Sequence, residues 1–162
     1  NGKDLISFSS NLSEIFNNIF DHSNSSVNGY IITQYKKSIK QLSFSVCDFG
    51  IVIADSLNNY FESKGEKRLE DSQTIRKALD YGISSFSTPK NRGFGLSNVL
   101  DFVQNFNGNL SIYSNNGHLY KEYDSDYFLM KTNYNFKGTL IKVEVDTEKF
   151  DFIEEEDFIY NL

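Results

Sequence analysis

The chain has no tryptophan and only one cysteine, one proline and one methionine among its 162 residues. Cys47 alone can form neither a disulfide framework nor a multi-cysteine metal site. That fits a reducing compartment, and a cytoplasmic location is expected. Pro89 is the single proline, and no interior run has the composition of a linker. No apolar stretch approaches the roughly 18 residues of a membrane span, so no membrane contact is expected of this segment. Basic residues are in deficit, 16 against 22 acidic ones, for a formal net charge of -6. This excludes a general affinity for nucleic-acid backbone. It does not exclude one nucleotide, because a local basic loop can offset the global field. His22 and His118 are far apart and lack metal-ligand spacing, so both read as structural. The sequence starts at Asn1 with no methionine or signal-like segment, and on that ground it reads as a fragment.

What is abundant is aromatic: 15 Phe and 10 Tyr in a chain that is 39% hydrophobic. By size this is one domain, able to bury about 70% of the surface its unfolded form exposes. Leu12, Ile15, Phe16, Ile19 and Phe20 follow helical spacing on a helix ending near His22. Tyr30 to Tyr35 and the alternating Leu42, Phe44, Val46 predict two strands paired as a hairpin. A helix is expected from about Leu69 to Tyr81, and a loop from Ser84 to Arg92. A further helix is marked by Leu96, Val99, Leu100 and Val103 and closed by Asn107-Gly108 as a glycine cap. Strands follow at Leu110 to Ser114, near Leu119 to Tyr123, near Tyr127 to Thr132, and at Thr139 to Val145. Asn116-Gly117 is a tight-hairpin signal between the first two of these. The order predicts an α+β fold, a two-layer α/β sandwich with helices on one face of a mixed, mostly antiparallel sheet. The domain spans 1–150, and residues 151–162 form an acidic tail.

Three groups of residues carry chemistry. Glu14, Asn18 and Asp21, spaced i, i+4, i+7, share one helix face. Such a face is usually just solvated. Read functionally, Asn18 is a neutral oxygen ligand to Mg²⁺, and Glu14 holds or activates a water near a terminal phosphate. Asp48 is in register with Leu42, Phe44 and Val46, so it points inward, where an unpaired carboxylate is costly. The exocyclic amine of adenine is a suitable donor to it, an internal cap or salt bridge the plainer alternative. Gly50 lets backbone approach a ligand closely. Gly93, Gly95 and Leu96 open a helix, whose free amides suit phosphates. Thr139 falls on the inward face of the last strand with Ile141, Val143 and Val145, where its hydroxyl can reach the ligand that Asp48 holds. Lys90 and Arg92 supply positive charge beside the phosphates. Two other matches fail. Asp48-Phe49-Gly50 spells the magnesium motif of protein kinases, but no His-Arg-Asp loop accompanies it. Gly93-x-Gly95-x-x-Asn98 lacks the third glycine of a dinucleotide fingerprint.

In this order the motifs resemble the GHKL ATPase superfamily, whose architecture is the Bergerat fold, over about Leu5 to Val145. Glu14-x-x-x-Asn18-x-x-Asp21 is similar to the family's asparagine box, Asp48-x-Gly50 to half of its adenine motif. Gly93-x-Gly95-Leu96 and Gly138-Thr139 resemble its later glycine and threonine elements. The resemblance implies ATP and Mg²⁺ as cofactors, Glu14 as the base in hydrolysing branches, Asn18 as the metal ligand, and an ATP lid over about 54–92. Asp21-His22-Ser23 is most similar to anti-sigma-type regulatory kinases and related sensor-kinase domains. Val52 departs from the pattern, standing where the adenine motif has a second glycine, and is expected to crowd the nucleotide or tilt the lid.

These features imply an ATP-Mg domain of the histidine-kinase-like type, acting in protein phosphotransfer in a regulatory or signalling system. Its partners are an adenine nucleotide and a protein phosphoacceptor or regulator, and a homodimer is compatible with the reading. Two alternatives are a plain ATPase, which Glu14 permits, and a non-catalytic or weakly hydrolysing interaction module on the same scaffold, which Val52 favours.

Overall fold

A computed structural model describes residues 13, 29–80 and 95–149. The expected first helix, the loop at 84–92 and the tail at 151–162 lie outside the described residues, apart from Ser13.

Strand β1 (Tyr30–Lys36) and strand β2 (Gln41–Asp48) form the expected antiparallel hairpin, from Tyr30↔Cys47 to Lys36↔Gln41. A 3-10 turn at Lys37–Ile39 joins them, and Lys40 takes a left-handed φ of 47° to reverse the chain. Helix α1 (Ile53–Ser63) and helix α2 (Asp71–Ala78) follow. Helix α3 (Gly95–Asn105) then leads into strand β3 (Asn109–Lys121) and strand β4 (Tyr127–Asp146). The sheet order is β1-β2-β4-β3, and all three pairings among the described residues are antiparallel. The fold is α+β, as the pattern predicts.

Alternation explains the sheet. Phe44, Val143 and Leu110 form one inward row across β2, β4 and β3, and Val46, Ile141 and Ile112 form the next. Onto these rows pack Ile75 and Leu79 from the α2 region and Val99, Phe102, Val103 and Phe106 from the α3 region, in one buried core. Each such side chain contributes about 1.5–3 kcal/mol by leaving water. A smaller apolar cluster, Leu57, Phe61 and Ala78, fastens α1 to α2. Asn58 is buried beside it, donating to the Leu69 carbonyl at 3.0 Å and accepting from the Leu69 amide at 2.9 Å, which pins the connection between the helices.

Two local expectations change. The Asn107-Gly108 cap is real but the roles are exchanged. Asn107 takes the left-handed φ of 48°, while the Gly108 amide bonds to the Val103 carbonyl at 2.7 Å and the Asn107 amide to that of Gln104 at 3.3 Å. That is a Schellman motif with asparagine at its left-handed position. Gly108 is needed for space, since a Cβ there would meet Val145 Cγ1 at 2.9 Å.

The chain reverses at Asn116-Gly117 as expected, although β3 is continuous through both residues. Asn115 takes a left-handed φ of 52°, Tyr113 stacks on His118 at 3.9 Å, and the Tyr123 amide donates to Asn109 Oδ1 at 3.4 Å, so the two halves of β3 lie side by side. Gly117 is also needed for space, since a Cβ there would meet Asp71 and Ser72 backbone at 2.7 Å. A second reversal comes at 122–126, where the Lys121 ammonium donates to the carbonyls of Glu122 and Ser125. The two strands expected near Tyr127 to Thr132 and at Thr139 to Val145 are one strand with an irregular middle. From Ser114↔Thr139 to Gly117↔Lys131 the register shifts, β3 advancing from 114 to 117 while β4 runs back from 139 to 131.

Helix α1 was not foreseen, although Ala54, Leu57 and Phe61 have helical spacing. Of the span 54–92 expected as a lid, the part through Leu79 carries two helices packed on the core, and 81–92 lies outside the described residues.

Candidate functional site

The two apolar rows are followed by a polar one. Asp48, Thr139 and Ser114 are cross-strand neighbours on β2, β4 and β3, with exposures of 3%, 3% and 0%. The alternation that buries Val46, Ile141 and Ile112 also buries these three, two residues further along each strand. Polar groups held there need partners. The Gly50 amide donates to Asp48 Oδ1 at 2.8 Å, and the Thr139 hydroxyl donates to the same carboxylate. The Ala54 amide in the first turn of α1 donates to Ser114 Oγ at 3.4 Å, so the helix start is tied to the row.

Burial pushes the Asp48 carboxyl above the ordinary carboxylate value, and the Gly50 and Thr139 donors only partly oppose this. A carboxylate has about four lone-pair directions, so one holding these donors can still accept an amine. The row thus ends the sheet face in a buried carboxylate with acceptor capacity left over.

Gly138 sets how closely β4 passes β2 here. A Cβ on it would overlap the Asp48 carbonyl oxygen and lie 3.0 Å from Phe49 Cα. Phe49 sits between Tyr30 and Phe136, each with its ring centroid 6.1 Å away, so aromatic rings cover the outer side of this sheet end. His118 stacks on Tyr113, the residue before Ser114, at 3.9 Å, its Nε2 lies 2.8 Å from Ser111 Oγ, and burial lowers its pKa.

Asp48, Gly50 and Thr139 are therefore brought together. Gly95 and Leu96 do open α3, and Leu96 packs half-buried between the two apolar clusters. Glu14, Asn18, Asp21, Lys90, Arg92 and Gly93 lie outside the described residues. Ser114 was missed, although it shares the parity of Leu110 and Ile112, the same signal that marked Thr139.

Val52 has an extended backbone at the start of α1, and its side chain is only 7% exposed. Val52→Gly is expected to lower stability by about 2–4 kcal/mol, combining lost burial with added backbone entropy, and not to tighten nucleotide binding. Thermal denaturation checks this: an unchanged midpoint would take Val52 out of the core.

Among the described residues no group of three or more His, Cys, Asp or Glu side chains could hold a metal. None of the helices described is long and apolar enough to cross a membrane. The family model described as a GHKL domain matches residues 9–123. The match includes Asp48 and Ser114 and stops short of Gly138 and Thr139, which enter the site through their pairing with β2. No curated protein matches the chain.

Proposed function

Because the chain belongs to the GHKL family and carries that family's ATP-binding module, we propose that it binds ATP with Mg²⁺ for phosphotransfer to a protein in a regulatory system. The observation that carries this is the buried row of Asp48, Thr139 and Ser114 closing an otherwise apolar sheet face. Asp48 takes the adenine amine, with Thr139 orienting the carboxylate and Gly50 holding its other edge. A base edge that presents a carbonyl would not satisfy a carboxylate; an exocyclic amine does, for roughly 1.5–3 kcal/mol.

The bound metal supplies charge neutralisation at the phosphates. Asn18 is the ligand offered for it, on the strength of its spacing with Glu14 and Asp21 and of the oxygen chemistry magnesium prefers. In the same reading Glu14 holds or activates a nucleophile near the terminal phosphate. Gly93 and Gly95 present amides to the phosphates, and Lys90 and Arg92 bring charge to them. The family match over 9–123, which contains all six residues, supports these roles.

Calorimetry with Mg-ADP and Mg-GDP is the test. ADP should bind more tightly, because guanine presents a carbonyl where adenine presents the amine. Equal affinities would remove Asp48 from base recognition.

A further inference from the structure

The two edges of the sheet are treated differently. At one edge, β3 is interrupted by the register shift near Asn115, and none of its residues is exposed. At the other, all seven residues of β1 are exposed, and among the described residues nothing pairs with its outer side. Natural edges are normally blunted by charge, proline, a bulge or a cover. Strand β1 has none of these from Tyr30 to Tyr35: its register with β2 is unbroken, and its first charge is Lys36. Tyr30 and Ile32 are 63% and 69% exposed on its outer face.

We propose that this edge is a homodimer interface, in which β1 of a second copy pairs antiparallel with β1 to make one continuous eight-stranded sheet. A two-fold axis normal to the sheet keeps each face on its own side. Paired residues must then share a face, which restricts the register. Ile31, Thr33 and Tyr35 lie on the inward side, opposite Val46, Phe44 and Leu42, while Tyr30, Ile32, Gln34 and Lys36 lie outward. The register centred on Thr33 satisfies this and engages all seven residues of each strand. It pairs Ile31 with Tyr35, Ile32 with Gln34, and Tyr30 with Lys36 of the other copy.

The chemistry of those pairs selects the occupant. An aromatic against a β-branched residue is a stabilising cross-strand pair, and so is threonine against threonine. Each Lys36 falls across from a tyrosine ring, where its charge is tolerated, and never across from the other Lys36. The edge is complementary to itself without a change of sequence. The Tyr30 end adjoins Cys47 and hence Asp48. The two-fold therefore sends the two polar rows to opposite ends of the double sheet, and nucleotide binding should not depend on the dimer. The inference thus stands apart from the nucleotide reading.

Light scattering on the 162-residue chain should give twice 18.6 kDa. Ile32→Lys with Gln34→Lys sets like charges opposite one another across the two-fold and should give the mass of one chain. Ile32→Lys with Gln34→Glu sets opposite charges there and should restore two. In a Cys47→Ala background, Thr33→Cys should be linked by a short bis-maleimide. Lys36→Cys should not, since the two copies would lie about 20 Å apart along the strands. A single-chain mass for the unmodified protein overturns the proposal, whether the edge is then covered by the chain's own residues or by a foreign peptide. So does a dimer indifferent to both charge variants, or one linked through position 36 and not 33. ADP affinity in each variant reports that the fold is intact.

Discussion

Asp48→Ala is expected to weaken ADP binding by about ten- to a hundredfold and to abolish the preference for ADP over GDP. The figure is that of a hydrogen bond to a charged acceptor, roughly 1.5–3 kcal/mol, at about 1.4 kcal/mol per tenfold. Stability should move the other way. Burial raises the Asp48 pKa in the folded chain, so between the ordinary value and the raised one the folded state binds more protons than the unfolded state. Stability therefore falls as pH rises through that window, and above it the buried charge is a net cost.

Asp48→Asn keeps an acceptor for the Gly50 amide and removes that charge. It should melt higher than the natural chain at neutral pH while binding ADP less well. The adenine amine favours the ionised carboxylate, so ADP affinity should fall as pH drops through the raised value. Calorimetry and melting at several pH values read all three effects. A loss of stability together with unchanged binding would make Asp48 an architectural residue and nothing more.

Gly138→Ala is expected to cost about 3 kcal/mol, a fall in melting temperature of about 6–12 °C. A methyl group there overlaps the Asp48 carbonyl oxygen and comes within 3.0 Å of Phe49 Cα, and both are backbone atoms that cannot rotate away. The φ of 157° adds strain for any residue with a side chain. Gly65 offers the control. It has a φ of 78° but nothing within 4 Å of an added Cβ, so Gly65→Ala should cost only about 1 kcal/mol. Because the overlap falls on Asp48 itself, Gly138→Ala should also weaken ADP binding, which Gly65→Ala should not. Equal losses of stability at the two positions would show that the close approach of β4 to β2 carries no energy.

Legibility followed the physics of alternation. Leu42, Phe44 and Val46 gave away the direction of Asp48, and Ile141, Val143 and Val145 that of Thr139, because burial on a strand repeats every second residue. The same arithmetic extended to Leu110 and Ile112 would have reached Ser114. Glycines were harder to interpret. Gly117 follows Asn116 in the expected turn, but its smallness also serves a helix resting on that turn, a tertiary demand that no local pattern announces. Gly108 likewise makes room while Asn107 bends the chain. Helix α1 was hidden by the reading of 54–92 as a lid, although Ala54, Leu57 and Phe61 carried its apolar face. Val52 was read by position in a motif; its burial, set by the turn into α1, was invisible until the helix was placed.

Strand order also has a kinetic meaning. Strands β1 and β2 are joined by a four-residue connection, and β3 and β4 are neighbours in sequence, so both hairpins can close locally. The pairing of β2 with β4 cannot, since it brings together residues about ninety positions apart. Asp48 and Thr139 face each other across that one long-range seam. With Asp48 and Thr139 in their proposed role, chains with either hairpin formed but the seam open hold half of the acceptor each. The nucleotide is then expected to recognise the completed topology alone, and the stability it confers to grow with the logarithm of its concentration, undiminished by binding to anything less folded.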